Sequence, residues 1–265
     1  MKAGADDYVT KPLDPFVLHT RLLAARRVTT LHGVLADALA ETRGSNERLA
    51  EFTGRVSHDL RNPLGSILGY VELGSMEAET NPAGAAEYLE IAGHSARRML
   101  SMVEELLTFA SIGGSLVRSP LSLARLVNDV TADLSLGLKE AEAVVEFEDF
   151  QFEADEGQMR VALQNLIQNA VAYSRPGLPP VIRVRGQRSG SGAVVQVADN
   201  GKGINAEDRR RVVEPLVRLH REGDPPGSGL GLATCARIAA AHGGRLEISP
   251  SPSGGTTVSL YLAGS

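Results

Sequence analysis

The 265-residue sequence has no tryptophan, one cysteine and only 4% aromatic residues. A single thiol, Cys235, excludes an intrachain disulfide and any thiolate metal site assembled within the chain, and it fits a reducing compartment. With so few aromatics, burial rests on Leu, Val, Ile and Ala, and the lone thiol reads as a core residue. No stretch approaches the roughly 18 apolar residues of a membrane span, and the start, MKAGADDYV, lacks the apolar core of a signal peptide. The expectation is a cytoplasmic chain with no membrane segment. An excess of one charge is also missing: 27 Lys+Arg against 32 Asp+Glu give a formal charge of -5, with no electrostatic reason for a nucleic-acid partner.

What is present is an ordinary globular balance, 43% hydrophobic and 22% charged, at a length that suggests about two domains. Tyr8-Val9-Thr10 reads as the end of a strand, Lys11-Pro12 as a turn, and Asp14-Pro15 as a helix start. Leu18, Leu22, Leu31, Leu35 and Leu39 then predict an amphipathic linker helix to about Arg43, weakened at Gly33 and Gly44. A stronger stripe follows at Leu49, Phe52, Val56, Leu60, Leu64, Ile67 and Val71. Asn81-Pro82 supplies the cap and first residue of another helix, with Tyr88, Ile91, Met99, Val103, Leu106 and Phe109 on one face. Two such helices make a hairpin, and dimerisation into a four-helix bundle would bury what the hairpin leaves open.

After Gly113-Gly114 the pattern changes to a helix near Ser122–Leu136, a weak strand near Val144–Phe147 and a helix from about Asp155 to Tyr173. Two hairpins follow, one around Ser189–Gly192 and one from Arg245 to Leu262, separated by a helix from Leu230 to His242 that ends at Gly243-Gly244. Mixed helices and hairpins in one block read as an α/β sandwich, so the whole chain is of the α+β class.

Four groups of residues carry chemistry. His58 lies two positions from the stripe residue Val56 and so faces solvent. Taken alone it is an ordinary solvated histidine, but Asp59 can bind one ring nitrogen, Asn62 stands one turn along the same face, and Pro63 bends the helix. Asp199, at a strand end, is followed by Gly201 and Gly203, which let a backbone approach a ligand. Gly227-Ser228-Gly229-Leu230-Gly231-Leu232 opens into a helix, whose free N–H groups and dipole suit phosphate. It is neither a Rossmann turn, since no strand of a βαβ unit precedes it, nor a P-loop, since the Gly-Lys-Ser/Thr end is missing. Asn165 and Asn169 stand at i and i+4 on a helix that otherwise buries apolar residues. They either bond neighbouring backbone or offer an amide oxygen to Mg²⁺ or a phosphate. His19, His32, His94 and His220 have no partner cluster, and His242 sits where it can cap carbonyls beside Gly243-Gly244.

In this order and spacing, from about residue 46 to the end, these boxes resemble a bacterial sensor histidine kinase. The resemblance implies His58 as phospho-acceptor, Asp59 as the acidic neighbour that aids proton removal, and Asn62 as the residue that orients water for phosphatase activity on the partner. It implies Asn165 and Asn169 as the N-box, with Asn169 the Mg²⁺ ligand. Asp199 would accept from the adenine amino group between Gly201 and Gly203, Gly227, Gly229, Leu230 and Gly231 would lie by the triphosphate, Thr256 in the last glycine turn, and Tyr173 beside the nucleotide. ATP and Mg²⁺ are the implied cofactors, and a homodimer and a response-regulator receiver domain the implied partners. The first residues, AGADDYVTKPLDPFVLHTRL, resemble the end of a receiver domain, with Lys11 at its phosphate-contacting lysine. The domains expected are therefore a receiver tail at 1–28, a helical linker at 29–47, a dimerisation and phosphotransfer domain at 48–113, and an ATP-binding α/β sandwich of the histidine kinase/gyrase type at 114–265. One departure is the lid, where Val213 and Leu216 stand where the family's F-box carries aromatics, which implies looser closure. A gyrase-type ATPase shares the nucleotide fold, but it needs a glutamate base where Asn165 stands, and an amide cannot take a proton from water. A dimeric scaffold that binds nucleotide without turnover is the other alternative.

Overall fold

The computed structural model describes residues 15–219 and 227–264. The strand Tyr8–Thr10, the Lys11-Pro12 turn and His220 lie outside them. The chain divides into two compact units, residues 1–55 and 56–265.

Helix α1 (Pro15–Glu77) is continuous through Gly33 and Gly44, where two segments meeting near Gly44 were expected. A glycine costs a helix about 1 kcal/mol, too little to break one flanked on both sides by good formers. Helix α2 (Pro82–Ser111) starts as its sequence predicts: Asn81 Oδ1 accepts the Gly84 N–H at 3.1 Å, with Pro82 at the first position. Within the second unit the two helices meet at a stacked Tyr70–Tyr88 pair, ring centroids 6.1 Å apart.

The remainder is a two-layer sandwich. Strands β1 (Arg118–Ser122) and β3 (Gln151–Asp155) form an antiparallel ribbon around helix α3 (Leu123–Asp133), helix α4 (Ser135–Glu140) and strand β2 (Val144–Phe147). Helix α5 (Glu156–Ala172), the hairpin β4 (Val181–Ser189) and β5 (Gly192–Ala198), helix α6 (Gly231–Ala241), and strands β6 (Arg245–Pro250) and β7 (Thr256–Leu262) follow. The main sheet runs β2-β4-β5-β7-β6, with only the β2–β4 pair parallel. Its register lines up Phe147, Val184, Val197, Val258 and Ile248 across all five strands, all of them members of the core or packed on it. The other layer is α3, α5 and α6, through Leu126, Val127, Val130, Met159, Leu163, Ile167, Cys235 and Ile238. Cys235 is fully buried, as expected, and burial pushes its thiol up to about 12.

Two further features differ from the sequence reading. The helix expected at Ser122–Leu136 breaks at Leu134 into α3 and α4, and β1 and β3 were not expected at all. Helix ends behave as predicted: Gly243, at φ +72°, closes α6, with its N–H on Ala240 O and that of Gly244 on Ala239 O, both at 2.9 Å. His242 does cap a carbonyl, from a buried position: Nδ1 donates to Ile238 O at 2.8 Å and Nε2 accepts the Asp155 N–H at 3.1 Å.

Candidate active site

A cavity of about 520 Å³ opens between α2, α5, the segment after β5 and the start of α6. Helix α5 spends its apolar face on the core, through Met159, Leu163, Leu166 and Ile167, which turns Gln164, Asn165, Gln168 and Asn169 to the cavity. Asn165 Nδ2 donates to Val161 O at 2.9 Å, so its amide oxygen stays available as an acceptor. A Cβ on Gly231 would stand 3.0 Å from Asn165 Oδ1 and 3.5 Å from Asn169 Nδ2. Glycine there lets the start of α6 close on both asparagines.

Asp199 follows the last residue of β5. Its Oδ1 accepts two backbone N–H groups, from Gly201 at 2.8 Å and Thr256 at 3.0 Å, which leaves Oδ2 for a donor in the cavity. Burial pushes the Asp199 carboxyl up, opposed by those two N–H groups and by the charge of Arg175. Any Cβ at Gly255 would collide with Asp199 Oδ1, and one at Gly201 would stand 2.6 Å from Tyr173 O. Gly203, at φ +76°, supplies the left-handed turn between them.

On the opposite wall, helix α6 begins without a side-chain cap, so its first N–H groups face the loop Gly227–Leu230. Gly229 has φ +75°, and Ser228 Oγ accepts the Leu230 N–H at 3.1 Å. Ser228 also donates its hydroxyl to the Glu105 carboxylate of α2. In the segment where aromatics were expected, Val212 and Leu216 are buried and Val213 is half-buried. Leu216 donates its N–H to Gly229 O at 3.1 Å.

His58 stands on α1 with its side chain 69% exposed and Nδ1 3.1 Å from Asp59 Oδ1. A carboxylate oxygen accepts, so this contact favours the ring N–H at Nδ1 and leaves Nε2 as the nitrogen outside the pair. Asn62 is exposed one turn further along. Pro63 has no N–H for the Asp59 carbonyl, which loosens the helical ladder beside His58.

The structure thus brings Asn165, Asn169, Tyr173, Asp199, Gly203, Gly227, Gly229, Leu230, Gly231 and Thr256 to one cavity, and sets Gly201 behind Asp199. His58, Asp59 and Asn62 are not part of its walls. The cavity fits a nucleotide: the Asp199 carboxylate beside a glycine cradle, the start of α6, and room for a base and its phosphates. Asn165 and Asn169 bring amide oxygens, which are hard ligands suited to Mg²⁺, to the cavity wall; among the described residues no three His, Cys, Asp or Glu gather into a metal cluster. Sequence reasoning missed Glu105 and Arg175, which lie far along the chain from the groups they hold and carry no local signal.

Residues 48–115 match the His Kinase A (phospho-acceptor) domain family, and residues 154–264 the histidine kinase-, DNA gyrase B- and HSP90-like ATPase family. The chain is 32% identical over 251 residues to the signal transduction histidine-protein kinase/phosphatase MprB of Mycobacterium ulcerans, covering 90% of this chain and 48% of that protein. It is 29% identical over 224 residues to the probable sensor histidine kinase TcrY of Mycobacterium tuberculosis, covering 82% and 46%. The chain spans less than half the length of these relatives. Among solved structures, histidine kinase ThkA in complex with response regulator protein TrrA has the same fold, with a TM-score of 0.65 and 21% identity over 84% of this chain and 64% of that one. With a phospho-acceptor hairpin followed by this ATP-binding sandwich, the chain has the domain order of a protein histidine kinase.

Proposed function

We propose that the chain transfers the γ-phosphoryl group of ATP to His58 and passes it on to an aspartate of a response-regulator receiver domain. The observation that carries this reading is the His58–Asp59 pair: an exposed imidazole whose Nδ1 is tied to a carboxylate, leaving Nε2 as the nucleophile, in a chain that also holds an ATP cavity.

Asp199 Oδ2 accepts from the adenine amino group, Tyr173 flanks the base, and the N–H groups at the start of α6 hold the phosphates. Asn169, assisted by Asn165, would hold Mg²⁺. When bound, the ion neutralises charge on the transferring phosphates. His58 Nε2 forms the N–P bond as the bond from phosphorus to the bridging oxygen breaks and ADP leaves. The proton on Nδ1 stays shared with Asp59, which stabilises the positive charge on the ring.

The exposed apolar residues of the hairpin, Leu64, Leu68, Leu100 and Leu107, support a homodimer through a four-helix bundle. ThkA, seen with TrrA, supports a receiver domain as the acceptor, and the kinase/phosphatase MprB supports hydrolysis of the phosphorylated partner with Asn62 orienting water. For residues 1–28 the reading is the end of a receiver domain leading into α1, whose start at Pro15 fits the expected helix. A gyrase-type role is disfavoured by the phospho-acceptor domain and by Asn165 in place of a base.

The test is to incubate the full chain with ATP and Mg²⁺ and map the phosphate by mass spectrometry under neutral conditions. Phosphate on His58 is expected. Nucleotide binding with no phosphorylated residue would overturn the reading in favour of a scaffold.

A further inference from the structure

Arg175 lies outside every motif that pointed to the site, three residues past the end of α5. Its guanidinium bridges two backbone turns that are far apart in sequence. Nε donates to Gly201 O at 2.9 Å and Nη2 to Gly254 O at 2.6 Å. These are the turns that hold Asp199: the Gly201 N–H and the Thr256 N–H are the two donors on Asp199 Oδ1. Gly254 has φ +88°, and a Cβ there would stand 2.9 Å from Arg175 Nη2. The missing side chain is therefore what admits the guanidinium.

We propose that Arg175 is a positioning residue that sets the base selectivity of the nucleotide site, by locking together the two glycine turns that hold Asp199 Oδ1 and so fix Oδ2 as the acceptor in the cavity. The inference rests on the reading of Asp199 as the partner of the adenine amino group. Adenine presents a donor there and guanine a carbonyl oxygen, which a carboxylate repels. Selectivity then depends on Oδ2 being ionised and held in place. Arg175 serves both ends, since its fork fixes the turns and its charge favours the ionised carboxylate. Lys202 and Tyr173 share the cavity wall, but Arg175 is the side chain whose charge acts on Asp199.

The experiment is calorimetric titration of the full chain with MgADP and with MgGDP, for wild type, Arg175→Ala and Arg175→Lys, with thermal unfolding to verify each fold. Wild type should prefer MgADP. Arg175→Ala should lose about tenfold in MgADP affinity and little in MgGDP affinity, which narrows the ratio. Arg175→Lys keeps the charge but not the fork, so its ratio should fall between the two, and it carries the test alone if the alanine variant fails to fold. An unchanged ratio in the variants, whether both affinities hold or fall together, would overturn the role of Arg175 and leave the nucleotide reading intact. A wild type that shows no preference for MgADP would overturn the reading of Asp199 and this inference with it.

Discussion

The Glu105 carboxylate on α2 accepts the hydroxyl of Ser228, in the glycine loop that opens α6. The hairpin helix thereby places a negative charge at the wall where the phosphates of a nucleotide are proposed to sit, with Glu104 beside it in the same cavity. Like charges disfavour one another most where water is scarce. Glu105→Gln should therefore tighten MgATP binding about three- to tenfold, measured by titration at low ionic strength, and the gain should shrink as salt is added. Equal or weaker binding in the variant would show that Glu105 does not compete with the phosphates.

Asp59 should matter for rate rather than for nucleotide affinity. Asp59→Asn removes the charge that stabilises the ring as the N–P bond forms, and a fall of about 100-fold in the rate of His58 phosphorylation is expected. MgATP affinity should stay within about twofold of wild type, because Asp59 is not part of the cavity. A variant with wild-type rate would remove Asp59 from the mechanism.

His242 gives the catalytic sandwich a pH dependence. Burial holds its imidazole below the ordinary 6.5, and both ring nitrogens are in use, Nδ1 on Ile238 O and Nε2 on the Asp155 N–H. The unfolded chain therefore takes up the proton at higher pH than the folded one. The stability due to neutral His242 is complete above 6.5 and is lost as pH falls through the lower folded value. Urea midpoints should drop as pH falls below the ordinary 6.5, and His242→Gln should be less stable at neutral pH with a flatter profile. An equally steep acid loss in the variant would place the effect elsewhere.

How much of this was legible in the sequence depended on how local the cause was. The Asn81-Pro82 cap, the Gly243-Gly244 stop and the hairpins β4–β5 and β6–β7 are each written within a few residues, and the structure has them where they were expected. The glycines and asparagines of the cavity were equally visible as motifs, although which wall each occupies was not. Strand β3 was hidden because its outward positions, Glu153 and Asp155, are acidic, while Phe152 and Ala154 alone carry its inward face. Its pairing with β1 joins Phe152 to Leu121 across helices α3 and α4 and strand β2, and no local pattern signals that. The Arg175 fork and the Glu105–Ser228 bond have the same character.

The end of α4 offers a stabilising change. Glu142 has φ +51°, and the bonds Glu142 N to Lys139 O and Ala143 N to Leu138 O, at 3.1 and 2.8 Å, are the helix stop in which glycine is favoured at that position. The side chain is exposed, so Glu142→Gly relieves the left-handed backbone without loss of packing. A gain of about 0.5–1 kcal/mol in unfolding free energy is expected from denaturant titration, and a loss would mean that the glutamate side chain holds contacts worth more than the backbone relief.

ATP held through Asn169 and Asp199 is proposed to phosphorylate His58. The most direct measurement is transfer of labelled γ-phosphate from ATP with Mg²⁺ to the full chain, beside His58→Gln and Asn169→Ala, with an acid-lability test on the label. Acid-labile label on wild type that is absent from both variants is the predicted result. Label that survives in His58→Gln, or that resists acid, would contradict it.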